Sequence, residues 1–243
     1  MKMLHLLLTA AALVLSTPAL ASSTVLTEGF DSGKLPAGWI TYSQGGALSE
    51  PWFQGYTDSF TAQAGAGDSY FASSFDMDNP ATGVIDNWLL TPTLSLGGDS
   101  TLTFYTRTAD TDGLFSDALE VLFSSGGGTS AAGFTQTLLS IGTGSAYPDG
   151  WTAYTVSIDL VGNGRFAFHY FGNYASADFI GLDSVTAVTA VPEPSAWLMF
   201  GAGLLLVGLM RCNGAKARRT ALAVAVTALS VAPLASAAGQ VAG

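Results

Sequence analysis

Between residues 22 and 190, hydrophobic and polar positions alternate with a period of two. Around residue 121, Leu119, Val121 and Phe123 fall on one side and the residues between them on the other, and the segment 165–171 alternates in the same way. No window of ordinary helix length in this region carries an apolar stripe with a period of 3.6 residues. The pattern therefore predicts β-strands with one buried face.

We predict eight strands, each a short run rich in β-branched and aromatic residues and bounded by Gly, Asp, Asn or Ser. They lie near Ser69–Phe75, Ile85–Leu90, Leu102–Arg107, Ala118–Ser124, Thr135–Ile141, Trp151–Ile158, Arg165–Phe171 and Asp178–Val188. The glycine-rich segment 126–133 is predicted as a hairpin tip, and Gly162–Gly164 as a hairpin turn. Many short strands with glycine-rich turns predict an all-β fold, a jelly roll or β-sandwich.

The two ends of the chain have a different character from the middle. Lys2 precedes a mostly apolar run, Pro18 ends that run, and Ala19-Leu20-Ala21 has the small-residue pattern of a cleavage site. This order is typical of a secretory signal peptide, which we expect to be cut after Ala21.

At the other end, a Val-Pro-Glu-Pro sequence is followed by an apolar run over about 196–210 and then by basic residues. An apolar span closed by positive charge is typical of a membrane helix with its basic end in the cytoplasm, although this span is shorter than the roughly 20 residues that such a helix needs. The residues of this motif are Val191, Pro192, Glu193, Pro194, Arg211, Lys216, Arg218 and Arg219.

This arrangement resembles the PEP-CTERM signal of Gram-negative bacteria, which implies recognition and removal by a membrane-embedded exosortase. An ordinary tail anchor is the alternative. We therefore divide the chain into a signal peptide (1–21), a β domain (22–190), a sorting signal (191–219) and an apolar tail (220–243) to which we assign no role. The resemblance implies transient insertion in the inner membrane, followed by release to the cell surface or extracellular matrix.

Charge and cysteine content narrow the classes of function. Residues 22–190 hold 3 basic and 17 acidic side chains, so their formal net charge is 3 − 17 = −14. Such a surface repels nucleic acid, which we exclude as a partner, and suits cations such as calcium, although solubility alone also explains it. The single cysteine, Cys212, lies in the sorting signal, so the β domain forms no disulfide.

Several motifs in the β domain resemble the choice-of-anchor J domain, which is similar to cleaved-adhesin domains and MAM-like jelly rolls. The matching segments are Phe30-Asp31, 36–39 (PAGW), 86–92 (DNWLLTP) and 182–185 (LDSV). Where adhesin-like relatives often carry a second acid after Asp183, this chain has Ser184. The resemblance spans roughly residues 26–190 and implies a non-catalytic domain of adhesin type.

The same resemblance implies adjacent first and last strands that calcium bridges, with Glu28, Asp31 and Asp183 as candidate ligands. Calcium takes six to eight oxygen ligands, so backbone carbonyls would have to join them. In the alternative interpretation, Glu28 and Asp31 are solvated turn residues and Asp183 accepts backbone hydrogen bonds.

Aromatic residues supply the candidate ligand site. Trp52, Phe53 and Tyr56 stand in the polar segment EPWFQGYTD, where planar rings beside Asp and Gln could stack on sugars. The alternative is that they plug one end of the sandwich. We expect Trp39 and Trp88, which belong to the family motifs, to be buried.

Catalytic patterns are few. His169 is the single histidine after residue 21, in an aromatic strand where we expect it to be packed or hydrogen-bonded. The chain contains no Gly-x-Ser-x-Gly or His-Glu-x-x-His motif, so we expect no enzyme. The sequence thus predicts a surface protein that binds or structures extracellular polysaccharide. A secreted polysaccharide hydrolase and a purely structural coat protein are the alternatives.

Overall fold

A computed structural model describes residues 21–191 and the isolated positions 201 and 203. About half of residues 21–191 lie in β-strands, and the helices in this range are three single-turn 3-10 helices at Phe75–Met77, Ala131–Gly133 and Tyr174–Ser176. The strands are β1 (Ala21–Glu28), β2 (Ile40–Ser43), β3 (Phe53–Gln54), β4 (Phe71–Ser74), β5 (Val84–Leu90), β6 (Leu94–Thr108), β7 (Leu119–Ser125), β8 (Gln136–Ile141), β9 (Thr152–Asn173) and β10 (Phe179–Val191). The predicted all-β class is confirmed.

Antiparallel pairing joins the strands into one curled sheet, consistent with a β-sandwich. Its order is β2-β5-β9-β6-β10-β4-β3, with β1 beside β10 and β7 between β8 and β9. The first half of β9 pairs with β6, whereas its second half lies between β5 and β7. We call the strands β1, β3, β4, β6, β10 and the first half of β9 the first leaf. The second leaf comprises β2, β5, β7, β8 and the second half of β9.

Strand β9 changes partners around Gly162–Gly164. The sequence predicted a turn at this point between two strands, and that prediction is wrong because pairing continues through all three residues. Gly162 has a φ of 133°, and a Cβ on Gly164 would collide with the ring of Phe123 and approach Leu96 Cδ1 at 3.2 Å. Glycine therefore lets the strand bend from one leaf to the other where a side chain has no room.

The main hydrophobic core draws residues from both leaves. The predicted inward row of β7 is buried in it, as are alternate residues of β9 and β10. The inward rows are Leu119, Val121 and Phe123 in β7, Phe166, Phe168 and Tyr170 in β9, and Ile180 and Leu182 in β10. Trp39 is buried in the same core, as predicted.

Each leaf also carries a smaller hydrophobic cluster on its outer face. Trp88, Leu90 and Ala167 belong to the cluster on the second leaf, and Phe60 and Phe179 to the cluster on the first. Trp88, Leu90 and Phe179 alternate along their strands with main-core residues such as Leu89 or Ile180, so their side chains point away from the main core.

The first and last strands lie side by side, as the family resemblance implied. Their pairing runs from Ala21 opposite Val191 to Glu28 opposite Val185. No helix among the described residues is long and apolar enough to span a membrane. The predicted signal peptide before Ala21, the sorting motif from Pro192 and the apolar tail lie outside the described residues, as does the predicted membrane helix apart from Gly201 and Gly203.

Candidate ligand-binding surface

The three aromatic residues proposed from the sequence have different environments. Trp52 is 1% exposed and packs in the main core, so its ring offers no face to a ligand. Phe53 is half-buried in β3, and Tyr56, which follows β3, is 43% exposed. We therefore remove Trp52 from the candidate site and retain Phe53 and Tyr56.

Tyr56 is held at the surface by Tyr70, which is itself buried. The Tyr70 hydroxyl donates to the Tyr56 carbonyl at 2.8 Å and accepts from the Tyr56 N–H at 3.1 Å. The Tyr70 ring also occupies the place of a side chain at Gly55, so glycine is required beside Tyr56. Burial raises the pKa of Tyr70 to about 12, which keeps its hydroxyl protonated and able to donate.

Tyr56 belongs to a set of packed rings on the outer face of the first leaf, which we call the aromatic patch: Phe53, Tyr56, Phe60, Trp151 and Phe179. Phe53 and Tyr56 lie nearly parallel at 6.4 Å, and Tyr56 meets Phe179 edge-on at 5.3 Å. Phe60 contacts both Phe179 and Trp151 at 5.4 Å. The Trp151 Nε1 donates to the Thr61 carbonyl at 2.8 Å, which fixes its ring at the edge of the patch.

A cation borders the aromatic patch. The Arg107 guanidinium lies 4.4 Å from the centre of the Phe60 ring, and its Nη2 donates to the Asp149 carbonyl at 2.6 Å. Burial lowers the pKa of Arg107, and the charge of Asp149 opposes that shift. Sequence reasoning missed Phe60, Phe179 and Arg107 because these residues meet only through the pairing of distant strands.

Two of the three proposed calcium ligands, Asp31 and Asp183, lie beside one loop, residues 63–65. Asp183 Oδ2 accepts from the N–H groups of Gln63 and Ala64 at 2.8 and 3.1 Å, and its Oδ1 accepts from Ser184 N–H at 2.5 Å. Glu28 Oε1 accepts from Phe30 N–H at 2.7 Å. Asp31 is exposed, and its Oδ1 would lie 2.6 Å from a Cβ at Gly65, in the loop that Asp183 holds.

These residues have the oxygen ligands that calcium prefers, but three of their six carboxylate oxygens already accept hydrogen bonds. Within residues 21–191 no three His, Cys, Asp or Glu side chains are grouped closely enough to hold a metal ion. Burial raises the pKa of Asp183, and the N–H donors of Ala64, Ser184 and Gln63 oppose the shift. The geometry therefore gives Asp183 the hydrogen-bonding role of the alternative interpretation, and calcium stays a prediction.

His169 is packed and hydrogen-bonded on the outer face of the second leaf, as expected. Its ring stacks on Trp88 at 4.1 Å, and its Nε2 lies 2.9 Å from Asp86 Oδ1. Burial lowers the pKa of His169, while Asp86 and Glu120 oppose that change. Trp88 is 5% exposed, and its Nε1 donates to the same Asp86 oxygen, so this group is closely packed.

Fold and site together define an all-β, adhesin-like domain with an aromatic patch in which the Tyr56 ring is exposed. The chain belongs to the Cleaved Adhesin Domain family, whose model matches residues 23–187. It is similar to the K3 cleaved adhesin domain of Lys-gingipain from Porphyromonas gingivalis W83, at 29% identity and a TM-score of 0.53, over 70% of this chain and 100% of that one. The K1 domain of the same protein matches at 26% identity and a TM-score of 0.55, with the same coverage. A comparison with curated proteins found no match.

Proposed function

We propose that this chain is a secreted or surface protein whose adhesin domain binds or structures extracellular polysaccharide without catalysing a reaction. The observation that carries the proposal is the exposed Tyr56 ring, which packs against Phe53 and Phe179 while Tyr70 holds the Tyr56 backbone. A rigid ring of this kind stacks on the apolar face of a sugar at little cost in conformational entropy. Asp58 beside it is exposed and supplies a hydrogen-bond acceptor for sugar hydroxyls.

Membership of an adhesin family supports a surface or extracellular location. A glycan array tests the binding: the full-length chain should bind a defined set of polysaccharides, and Tyr56→Ala should bind them much less. Leu114→Ala is a matched control because Leu114 is 77% exposed and does not belong to the aromatic patch. Equal binding by all three proteins would contradict the proposal. Release of new reducing ends from the bound polysaccharide would support the hydrolase alternative instead.

The proposal includes sorting by an exosortase after export through the signal peptide, with the inner membrane as a transient partner. The strand pairing supports it, since Ala21 and Val191 form the last pair of β1 and β10. Cleavage after Ala21 and near Pro192–Pro194 would therefore remove only the outermost pair and leave the pairing from Ser22 opposite Ala190 onward. Intact-mass analysis of the native surface protein should show a start at Ser22 and an end near the Pro-Glu-Pro motif. Residues 221–243 on the mature protein would contradict exosortase sorting.

We also propose that Glu28, Asp31 and Asp183 bind calcium as a structural ligand. Support comes from the three carboxylates and from the antiparallel pairing of β1 with β10, which places Glu28 opposite Val185, two residues along β10 from Asp183. Asp31 and the second oxygen of Glu28 supply the carboxylate oxygens that calcium would bind.

A further inference from the structure

Arg165 is buried in an environment that supplies almost none of its hydrogen bonds. It is one of 3 basic residues in residues 22–190, and its side chain is only 7% exposed. Arg165 follows Gly164 in β9 and lies opposite Ser124 of β7. Since its neighbour Phe166 points into the main core, Arg165 points to the outer face of the second leaf.

The guanidinium of Arg165 has a single hydrogen bond within the described residues. Its Nη2 donates to Thr93 Oγ1 at 2.9 Å, whereas Nε and Nη1 are buried without a partner. No carboxylate in residues 21–191 lies within 4.0 Å of it, since the ion pairs found there are those of His169. Burial lowers the pKa of Arg165, and no neighbouring carboxylate opposes this shift.

Arg107 shows how the same side chain is satisfied elsewhere in the domain. Its Nε donates to the Thr108 carbonyl at 3.1 Å, its Nη2 donates to the Asp149 carbonyl, and its plane covers the Phe60 ring. Arg165 has neither carbonyl partners nor an aromatic face in the described part of the chain. Burying a cation without an anion is energetically unfavourable. An anionic ligand would supply Arg165 with the hydrogen-bond acceptors and the negative charge that the described residues do not provide.

Two hydroxyl groups and a glycine loop lie near Arg165. Thr93 Oγ1 accepts from Arg165 and Ser124 Oγ accepts from Gly128 N–H at 3.0 Å, so both hydroxyl protons are free to be donated. Gly127 packs directly on Thr93, because a Cβ there would lie 2.9 Å from Thr93 Oγ1. The segment 126–128 is entirely glycine, so no side chain of this loop blocks the approach to Arg165.

We propose that Arg165, Thr93 and Ser124 form a binding site for an oxyanion that is exposed when the 126–128 loop shifts. The chemistry fits the carboxylate of an acidic sugar and equally a free phosphate or sulfate, because guanidinium binds all of these through charge-assisted hydrogen bonds. The site lies on the leaf opposite the aromatic patch and does not depend on polysaccharide binding there.

Thermal unfolding of the full-length chain tests this site. The melting temperature is measured in chloride, phosphate, sulfate and oligogalacturonate at equal ionic strength. An oxyanion at about 100 times its Kd should raise the melting temperature by about 5 °C or more. Arg165→Met should abolish the rise. Thr93→Val, which serves as the test if Arg165→Met does not fold, should reduce the rise. Lys34→Met, which removes an exposed cation, and Tyr56→Ala should both keep the full response.

A response to oligogalacturonate that exceeds the response to phosphate would confirm the site and assign it to an acidic sugar. A response to phosphate or sulfate that equals or exceeds the response to oligogalacturonate would also confirm the site, and would assign the site to a free anion. The proposal is overturned if no oxyanion stabilises the wild-type chain, or if Arg165→Met and Thr93→Val respond as the wild type does. Because Tyr56→Ala tests the aromatic patch separately, failure at one site is distinguishable from failure at the other.

Discussion

Trp52 and Tyr56 stand four positions apart, yet Trp52 is 1% exposed and Tyr56 is 43% exposed. Both residues stand in the same polar segment, 50–58, and nothing in that segment marks one of them as buried. Contacts with distant residues separate them: Trp52 packs in the main core, whereas Tyr70, fourteen positions further along, holds the Tyr56 backbone. The sequence therefore identifies aromatic candidates for a surface patch, but it does not show which of them are buried in the core and which are exposed.

We expect this difference to appear in the free energy of unfolding. Trp52→Ala should lower it by about 3–5 kcal/mol, since a large buried side chain leaves a cavity, and Trp88→Ala should do the same. Tyr56→Ala should change it by less than about 1 kcal/mol because most of its ring contacts are at the surface. Urea unfolding measures all three. A small loss at Trp52 would restore the original sequence-based assignment of Trp52 to the surface.

Asp78 gives a prediction of pH dependence. It is 1% exposed and accepts from Asn87 Nδ2 at 2.7 Å, and burial raises its pKa to about 6. Between about pH 4 and pH 6 the folded protein thus holds a proton that the unfolded chain has released, so the free energy of unfolding falls as pH rises through this range. Asp178, whose pKa burial also raises to about 6, adds to the same slope.

Asp78→Asn should flatten this slope and raise the free energy of unfolding at pH 7 relative to wild type. Denaturant unfolding at pH 4, 5, 6 and 7 measures it. Asp112→Asn, at an exposed position, should leave the slope unchanged. A wild-type stability that increases from pH 4 to pH 6 would show that burial of Asp78 and Asp178 does not govern this range.

At the scale of elements, periodicity identified the strands with a buried face and missed the others. The strands β5, β7 and β8 lie within one residue of their predicted bounds, although Ile141 is the one fully buried residue of β8. β1 is mostly exposed, β2 has no fully buried residue and β3 has two residues, so none of them shows a buried row. The sequence predicted the two halves of β9 as separate strands, because glycine is found both in turns and at bends within a strand.

The bend in β9 gives the prediction at this scale. Gly164→Ala should lower the free energy of unfolding by about 1–3 kcal/mol, because its Cβ has no room beside Phe123 and Leu96. Gly150→Ala is the matched control, since nothing lies within 4 Å of a Cβ there. Thermal or urea unfolding compares the two variants. Equal stability of the two variants would mean that the neighbouring strands shift to accommodate a Cβ at position 164 and that glycine is not required there.

For the whole molecule, the pairing of β1 with β10 closes the domain and places Glu28 opposite Val185, two residues from Asp183. The family resemblance predicted this adjacency correctly, but it could not show that Asp183 is already bonded to backbone N–H groups. Hydrogen bonding of a buried carboxylate depends on where a loop over a hundred residues away is placed. Spacing in the sequence carries no such information.

Calcium removal tests the role of that loop. If calcium binds there, EDTA should lower the melting temperature of the full-length chain, and calcium at about 100 times its Kd should restore about 2.7 kcal/mol of stability. Asp31→Asn should remove most of this response while leaving the hydrogen bonds of Asp183 in place. Melting curves that EDTA does not change would contradict the calcium proposal.

The central claim concerns the aromatic patch, and isothermal titration with a polysaccharide that the array selects tests it most directly. We predict that Tyr56→Ala weakens binding at least about tenfold, or about 1.4 kcal/mol, with an unchanged melting temperature. Leu114→Ala should bind as the wild type does. An unchanged Kd for Tyr56→Ala, in a protein that melts as the wild type does, would contradict the account.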